Sequence, residues 1–213
     1  MGENSAVPDY TAPEAFQALA DPTRLDIVRA IGDAEPRGSP SYLQFSALRD
    51  RVGVRDSGRF SYHLEKLQGS LVAHDEDDGY YLDYAGFTVY RMLRRGLFES
   101  HDPLDPAESD RTCPDCGAGV SVSHRGDGIV DVVCEACDTD FLHYEFPPAG
   151  VDARADDPDD LAMAVDAWAR SRLSLFDRGV CPSCGAPKES TLTTDPDDVS
   201  ERMNDEEAYV RYV

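Results

Sequence analysis

The sequence predicts an α+β fold, in which a helical N-terminal half precedes a β-rich C-terminal half. Three observations carry this prediction. Apolar residues recur at helical spacing through most of the N-terminal half. Two short apolar stretches, Leu71–His74 and Tyr80–Asp83, then flank the turn Glu76-Asp77-Asp78-Gly79, which is a hairpin signal. All six cysteines follow later, as three Cys-x-x-Cys pairs.

Helix start and stop signals divide the N-terminal half into five helices, the last of them after the hairpin. Asp21 precedes Pro22 and Thr23, a strong start because aspartate caps free amides and proline suits the first helical turn. The fourth helix carries a buried apolar stripe, formed by Phe60, Leu64, Leu67 and Leu71. The five predicted helices cover Glu14–Ala20, Pro22–Gly32, Phe45–Arg51, Ser57–Leu67 and Ala85–Phe98.

Changes in composition and motif divide the chain into six segments. The stretch 100–110 is acidic and contains two prolines, which indicates a linker. Three alternating apolar stretches around the first two cysteine pairs indicate a small sheet that depends on metal for much of its folding free energy. The predicted segments are a disordered leader (1–10), a helical domain with the hairpin (11–99), an acidic linker (100–110), a zinc ribbon (111–148), a helix (157–178) and a partial second zinc-ribbon-like segment (179–213).

The chain is strongly acidic, with 42 acidic against 20 basic residues, and only two of the basic residues are lysines. Such a surface stays hydrated at high salt, and this composition is typical of proteins from salt-accumulating halophiles. We find neither an apolar run long enough to span a membrane nor a basic and apolar leader at the N-terminus. We therefore expect a cytoplasmic protein, in which paired cysteines bind metal and do not form disulfides.

One segment departs from the acidic character of the chain. Residues 37–67 contain six basic and three acidic side chains, whereas residues 101–213 contain nine basic and 26 acidic ones. A polyanionic partner would therefore bind residues 37–67.

Four of the cysteines have the spacing of a complete zinc site. Two tight pairs about twenty residues apart supply four thiolates for a tetrahedral ion, and a closed site of four cysteines is structural because no coordination position remains for a substrate. The expected ligands are Cys113, Cys116, Cys134 and Cys137. His124 and His143 lie in the same segment and offer alternative ligands, although an ordinary role in a strand explains each of them.

The third pair, Cys181 and Cys184, has no partner pair in the sequence. Three interpretations remain open: a half-site left from a lost ribbon, a zinc ion shared across a dimer, and a redox or free pair. A strand-like segment, Tyr209–Val213, stands where the first ribbon has the strand before its second cysteine pair. This correspondence leads us to expect a shortened relative of a protein with two zinc ribbons.

The stretch Ala18-Leu19-Ala20-Asp21-Pro22-Thr23-Arg24-Leu25-Asp26-Ile27-Val28 resembles the opening signature of ArsR-type winged helix-turn-helix regulators. The resemblance extends over about residues 12–98. Together with the acidic composition and the cysteine pairs, the chain is similar to haloarchaeal ArsR-like transcriptional regulators with C-terminal zinc ribbons. The resemblance implies a homodimer that binds double-stranded DNA, with the first and last helices of the domain as candidates for the dimer interface.

By this resemblance, the helix from Ser57 to Leu67 is the recognition helix. Arginine binds guanine through two parallel hydrogen bonds, so Arg59 is the expected base contact. Arg55 and Lys66 are expected to contact phosphates, Ser57 lies where helix N-terminal amides bind phosphate, and Tyr62 projects on the same flank. An ordinary solvated role remains open for each of these side chains.

The chain departs from the family pattern in two places. The expected wing tip, Asp75 to Asp78, is acidic and would repel phosphate, and no cysteine precedes Cys113, so the metal-sensing box of some relatives is absent. We expect a sequence-specific transcriptional regulator and not an enzyme, since phosphate loops and nucleophile motifs are missing. The alternatives are an acidic adaptor that binds the transcription machinery and, less well supported by the sequence, an RNA-binding protein.

Overall fold

The computed structural model describes residues 10–34 and 42–188, which confirm the predicted α+β class. The chain divides into two compact units, Met1–Arg94 and Arg95–Val213. Several predictions lie outside the described residues: nearly all of the leader 1–10 and most of the segment 179–213, including the strand Tyr209–Val213.

The first unit contains the five predicted helices and the hairpin, with bounds shifted by a few residues. The last helix ends at Arg94, four residues earlier than predicted, because Gly96 adopts a positive φ. In chain order the elements are α1 (Ala12–Leu19), α2 (Pro22–Gly32), α3 (Phe45–Val52), α4 (Ser57–Glu65), β1 (Val72–Asp75), β2 (Gly79–Leu82) and α5 (Tyr84–Arg94).

Helix α2 is the centre of the first unit and contacts the other four helices and β2. The Asp21 carboxylate accepts a hydrogen bond from the Thr23 amide at 2.9 Å, the predicted cap. Ile27, Val28 and Ile31 are fully buried. At Gly32 a Cβ atom would lie 2.3 Å from the Tyr90 ring, so α5 reaches α2 this closely only because the residue is glycine.

The burial of the stripe predicted for the fourth helix is confirmed, but α4 ends at Glu65, so Leu67 and Leu71 lie beyond the helix. The four side chains of the stripe are at most 2% exposed and belong to the core of the first unit: Phe60, Leu64, Leu67 and Leu71. The Asp56 carboxylate caps α4 by accepting from the Arg59 amide at 2.8 Å. The hairpin pairs β1 with β2 in an antiparallel register from Val72 opposite Leu82 to Asp75 opposite Gly79.

The second unit is an antiparallel four-stranded sheet with two helices. Neighbouring strands follow one another in the sequence, in the order β3-β4-β5-β6. The elements are β3 (Leu104–Thr112), β4 (Gly119–His124), β5 (Ile129–Cys134), β6 (Thr139–Glu145), α6 (Pro148–Asp152) and α7 (Pro158–Asp177).

The prediction of an acidic linker over 100–110 was wrong, because most of this segment belongs to β3. Among the described strands, β3 lies at the sheet edge and pairs only with β4, and its charged side chains are exposed. Pro106 lies in a register shift between Leu104 and Ala107, where a missing amide costs no ladder hydrogen bond. Charged residues and proline are common both in linkers and in edge strands. The composition of residues 100–110 therefore could not distinguish a linker from an edge strand.

The helix predicted over 157–178 is not a separate linking element, since α7 packs on the sheet within the same unit. Leu161, Val165 and Ala169 of α7 are at most 2% exposed and share one core with Val122 and Val130 of the sheet. The sheet therefore has an apolar partner of its own, and we expect its folding to depend less on a metal than the sequence indicated.

Within the described ranges, no helix is long and apolar enough to cross a membrane.

Candidate metal centre

The four predicted ligands meet at one end of the sheet. Cys113 and Cys116 lie in the connection between β3 and β4, and Cys134 and Cys137 lie where β5 passes into β6. Because β4 and β5 are antiparallel, the start of β4 and the end of β5 share one end of the sheet. The fold thereby brings two cysteine pairs together that are far apart in sequence.

The sulfur atoms have the spacing of a tetrahedral site. The Cys113 and Cys137 Sγ atoms are 3.6 Å apart, those of Cys116 and Cys134 are 3.5 Å apart, and all four lie within 4.8 Å of one another. Four thiolates at about 2.3 Å from a zinc ion stand about 3.8 Å from each other in a tetrahedron. The four cysteines are therefore positioned to bind a metal ion, and their geometry is compatible with one zinc site.

Each cysteine pair lies in a tight turn that we call a knuckle: the first spans Cys113–Ala118 and the second spans Cys134–Thr139. In the first, the Cys113 amide donates to the Ala118 carbonyl at 2.7 Å and the Gly117 amide donates to the Cys113 carbonyl at 2.8 Å. Gly117 has a φ of 74° and Asp138, at the same place in the second knuckle, has a φ of 57°. Asparagine and aspartate tolerate this conformation better than other side chains. Asp138 is thus a residue of the site that the sequence analysis missed.

The electrostatics of the four sulfurs favour a cation. Burial raises the pKa of the Cys134 thiol, but the Cys137 and Ala136 amides and the Cys116 thiol more than offset it and bring the pKa to about 7. At Cys116 the Ala118 amide lowers the pKa, yet the Cys134 and Cys137 thiols raise it to about 12 overall. The pKa of Cys134 is thus lowered while those of Cys116 and Cys137 are raised, so these three thiols do not all ionise together unless a bound cation neutralises the thiolates.

The two histidines considered as alternative ligands do not join this group. His124 is fully buried at the end of β4 opposite the knuckles, and its Nε2 accepts from the Gly128 amide at 3.1 Å. Burial lowers the pKa of His124, which favours the neutral ring that this bond requires. His143, in β6, pairs with the Asp131 carboxylate. All four members of the cluster are cysteines.

Cys181 and Cys184 lie in a third knuckle, Cys181–Ala186, that has the same backbone conformation as the first. The Cys181 amide donates to the Ala186 carbonyl at 2.9 Å, and the Gly185 amide donates to the Cys181 carbonyl at 2.8 Å. Gly185 has the same φ of 74° as Gly117. In the described part of the chain, no third ligating side chain joins these two cysteines.

The side chains predicted to contact DNA are all exposed, and they lie on or beside α4: Arg55, Ser57, Arg59, Tyr62 and Lys66. Tyr62 is 55% exposed, and the Lys66 Nζ atom stands 5.6 Å from its ring centroid. Arg55, Arg59 and Lys66 form no ion pair with another described residue. One polar residue of α4 was missed: His63 is buried, and its Nδ1 lies 3.5 Å from the Asp21 carboxylate.

Comparisons with known proteins agree with the division into two units. Residues 12–93 match a family model described as a domain of unknown function, DUF7347. Residues 110–213 match a second one, DUF7351. No curated protein and no solved structure matches the chain.

Proposed function

We propose that the chain is a sequence-specific, DNA-binding transcriptional regulator. The first unit would act as a winged helix-turn-helix domain, with α3 and α4 as the helix pair and β1–β2 as the wing. The second unit would be a ribbon held by one structural zinc ion.

One observation carries the proposal: α4 buries one face and exposes the other with cations on it. Phe60 and Leu64 are fully or almost fully buried, while Arg59 and Lys66 are exposed and without an ionic partner among the described residues. A helix presented in this way can enter the major groove and place a guanidinium on the edge of a guanine. Arg55 and Ser57, at the start of α4, would contact the backbone.

The hairpin tip supports binding through the helix and not through the wing. Asp75, Asp77 and Asp78 are exposed there, and the Asp75 carboxylate accepts hydrogen bonds from the amides of the other two. These two bonds lower the pKa of Asp75, with the Asp78 amide the larger cause. The tip thus stays negative and is repelled by phosphate.

The proposed protein is a homodimer, which presents two recognition helices. In the first unit, α1 has no buried residue and its Phe16 is 70% exposed, so this helix has apolar surface left to pair. Helix α5 covers the core of its own unit through Val89, Tyr90 and Leu93. At about 1 M salt the Debye length is only about 3 Å, so short-range contacts from two helices must supply the affinity.

We propose zinc as the ion of the four-cysteine site, with an architectural role. Soft thiolates in a tetrahedral arrangement select zinc or iron, and four protein ligands leave no open position for catalysis.

The test begins with selection of bound sequences from random double-stranded DNA by the full-length chain in about 1 M KCl. Affinity for the selected sequence is then compared between Arg59→Ala and the control Arg125→Ala, which removes an exposed arginine from the other unit. A lost bidentate guanine contact costs about 1–3 kcal/mol, a 5- to 150-fold loss of affinity. The control should keep wild-type affinity.

A second function is favoured by the same acidic hairpin tip and by the charge of the chain. In this second function the chain is an acidic adaptor that binds a basic surface of the transcription machinery. A selection that yields no common DNA sequence would favour the adaptor. Equal loss of affinity in both variants, or none in either, would contradict DNA recognition through Arg59 of α4.

A further inference from the structure

We propose that Cys181 and Cys184 form half of a second zinc site of four cysteines, which a second copy of this chain completes with the same two residues. The third knuckle has the conformation of a metal-binding turn. Its two backbone hydrogen bonds match those of the first knuckle to within 0.2 Å, and the glycine after the second cysteine has the same positive φ of 74°. The two knuckles also share the sequence Cys-Pro-x-Cys-Gly-Ala.

Residues 1–213 contain no further cysteine or histidine that could complete this site. All six cysteines and all five histidines of the sequence lie in the described residues, so residues 189–213 hold neither type. Four cysteines are taken by the first site, and no histidine forms a cluster with Cys181 and Cys184. Closed zinc sites take four ligands, almost always cysteine and histidine. The proposal assigns the two missing thiolates to a second copy of the third knuckle.

A second copy of the same knuckle supplies those thiolates with the correct number and chemistry. A two-fold axis through the metal relates the two pairs, the commonest symmetry of homo-oligomers. Four thiols lose their protons to solvent, four Zn–S bonds form, and no oxidant is needed. Carboxylates of residues 189–213 are the competing ligands, but they are harder oxygen donors that suit magnesium and calcium better.

The third knuckle is held firmly on the end of α7, as an interface element should be. The Arg172 guanidinium donates to the Ser183 hydroxyl at 3.2 Å and pairs with Glu145 of β6 at 2.6 Å. Val180 forms an isolated antiparallel β-bridge with Pro187, and the Lys188 amide donates a hydrogen bond to the Gly179 carbonyl at 2.9 Å. The two thiols are therefore oriented before a partner arrives, which lowers the entropic cost of pairing.

Local charge permits two copies to meet at this point. Residues 170–188 contain four basic and one acidic side chain, in a half of the chain that is otherwise strongly acidic. The low number of acidic side chains in this stretch reduces the electrostatic repulsion between two copies there.

Zinc stoichiometry on the full-length protein decides the proposal. One complete site and one shared site give about 1.5 zinc ions per chain, in a species that sediments as a dimer. The double variant Cys181→Ser/Cys184→Ser should bind about 1.0 zinc per chain, because only the first site remains. The control Met163→Ala changes an exposed side chain of α7 that lies outside the knuckle, and it should keep about 1.5.

Three results would overturn the proposal. About 1.0 zinc per wild-type chain would mean that the third knuckle binds no metal, and about 2.0 on a monomer would mean that the chain closes its own site with carboxylates. A double variant that keeps the wild-type stoichiometry would also contradict it. The variant replaces exposed or half-buried side chains, and Trp168 fluorescence reports whether the second unit remains folded.

Discussion

Truncating Leu161 to alanine tests whether α7 and the sheet share one core. Leu161 lies in the first turn of α7, is 0% exposed, and belongs to the same cluster as Val122 and Val130. Removing three buried carbon atoms there leaves a cavity that the strands cannot fill without moving. Leucine-to-alanine changes at such positions cost about 2–5 kcal/mol of unfolding free energy.

The control is Met163→Ala, two residues further along the same helix. Met163 is 51% exposed, so its truncation removes a flexible side chain mostly from water and should cost about 0.5 kcal/mol or less. Urea unfolding of the zinc-loaded protein can be followed by tryptophan fluorescence. Trp168 is the only tryptophan of the chain, and its ring lies 6.0 Å from that of Phe146, so the signal reports the second unit alone.

The two variants should therefore differ by about 2 kcal/mol or more. If Leu161→Ala and Met163→Ala unfold at the same urea concentration, α7 does not pack on the sheet as described. The interpretation of the second unit as a helix-backed sheet would then be wrong.

Three further predictions concern other parts of the molecule. Gly86→Ala should cost the first unit about 2 kcal/mol or more, measured by urea unfolding with near-UV circular dichroism, because its Cβ would lie 1.9 Å from the Leu71 carbonyl oxygen. Hydrogen bonds to the Gly96 carbonyl and the Asp152 carboxylate raise the pKa of His101. The contribution of His101 to stability is therefore complete below about pH 6.5 and is lost as the pH rises through the raised pKa. The difference in melting temperature between wild type and His101→Gln should shrink over that pH window, and a constant difference would contradict this prediction. Removing the metal with a chelator should speed hydrogen exchange in the two paired knuckles while the amides of β5 and α7 stay protected, and uniform loss of protection would show that the metal holds the whole unit.

The first unit was largely predictable from the sequence because its signals are local. The Asp21 cap and the buried face at Phe60 and Leu64 act over one or two helical turns, and both appear in the structure. The four cysteines were equally predictable, since the pairs fix their own turns and metal chemistry permits few groupings.

The errors arose where a strand or helix depends on distant residues. Edge strand β3 is acidic and contains Pro106, and only its pairing with β4 makes it a strand. The role of α7 was missed for the same reason, because helical spacing shows that a face is apolar but not which surface it covers. Gly86 and Gly32 have close contacts with residues 15 and 58 positions away, which no local pattern records.

The most direct test of the central claim is the genome-wide DNA occupancy of the full-length protein in its source cell, compared with that of Arg59→Ala. A regulator that reads DNA through α4 should occupy discrete sites that share a base sequence and should lose them in the variant. Diffuse occupancy, or discrete sites that persist in Arg59→Ala, would contradict the account.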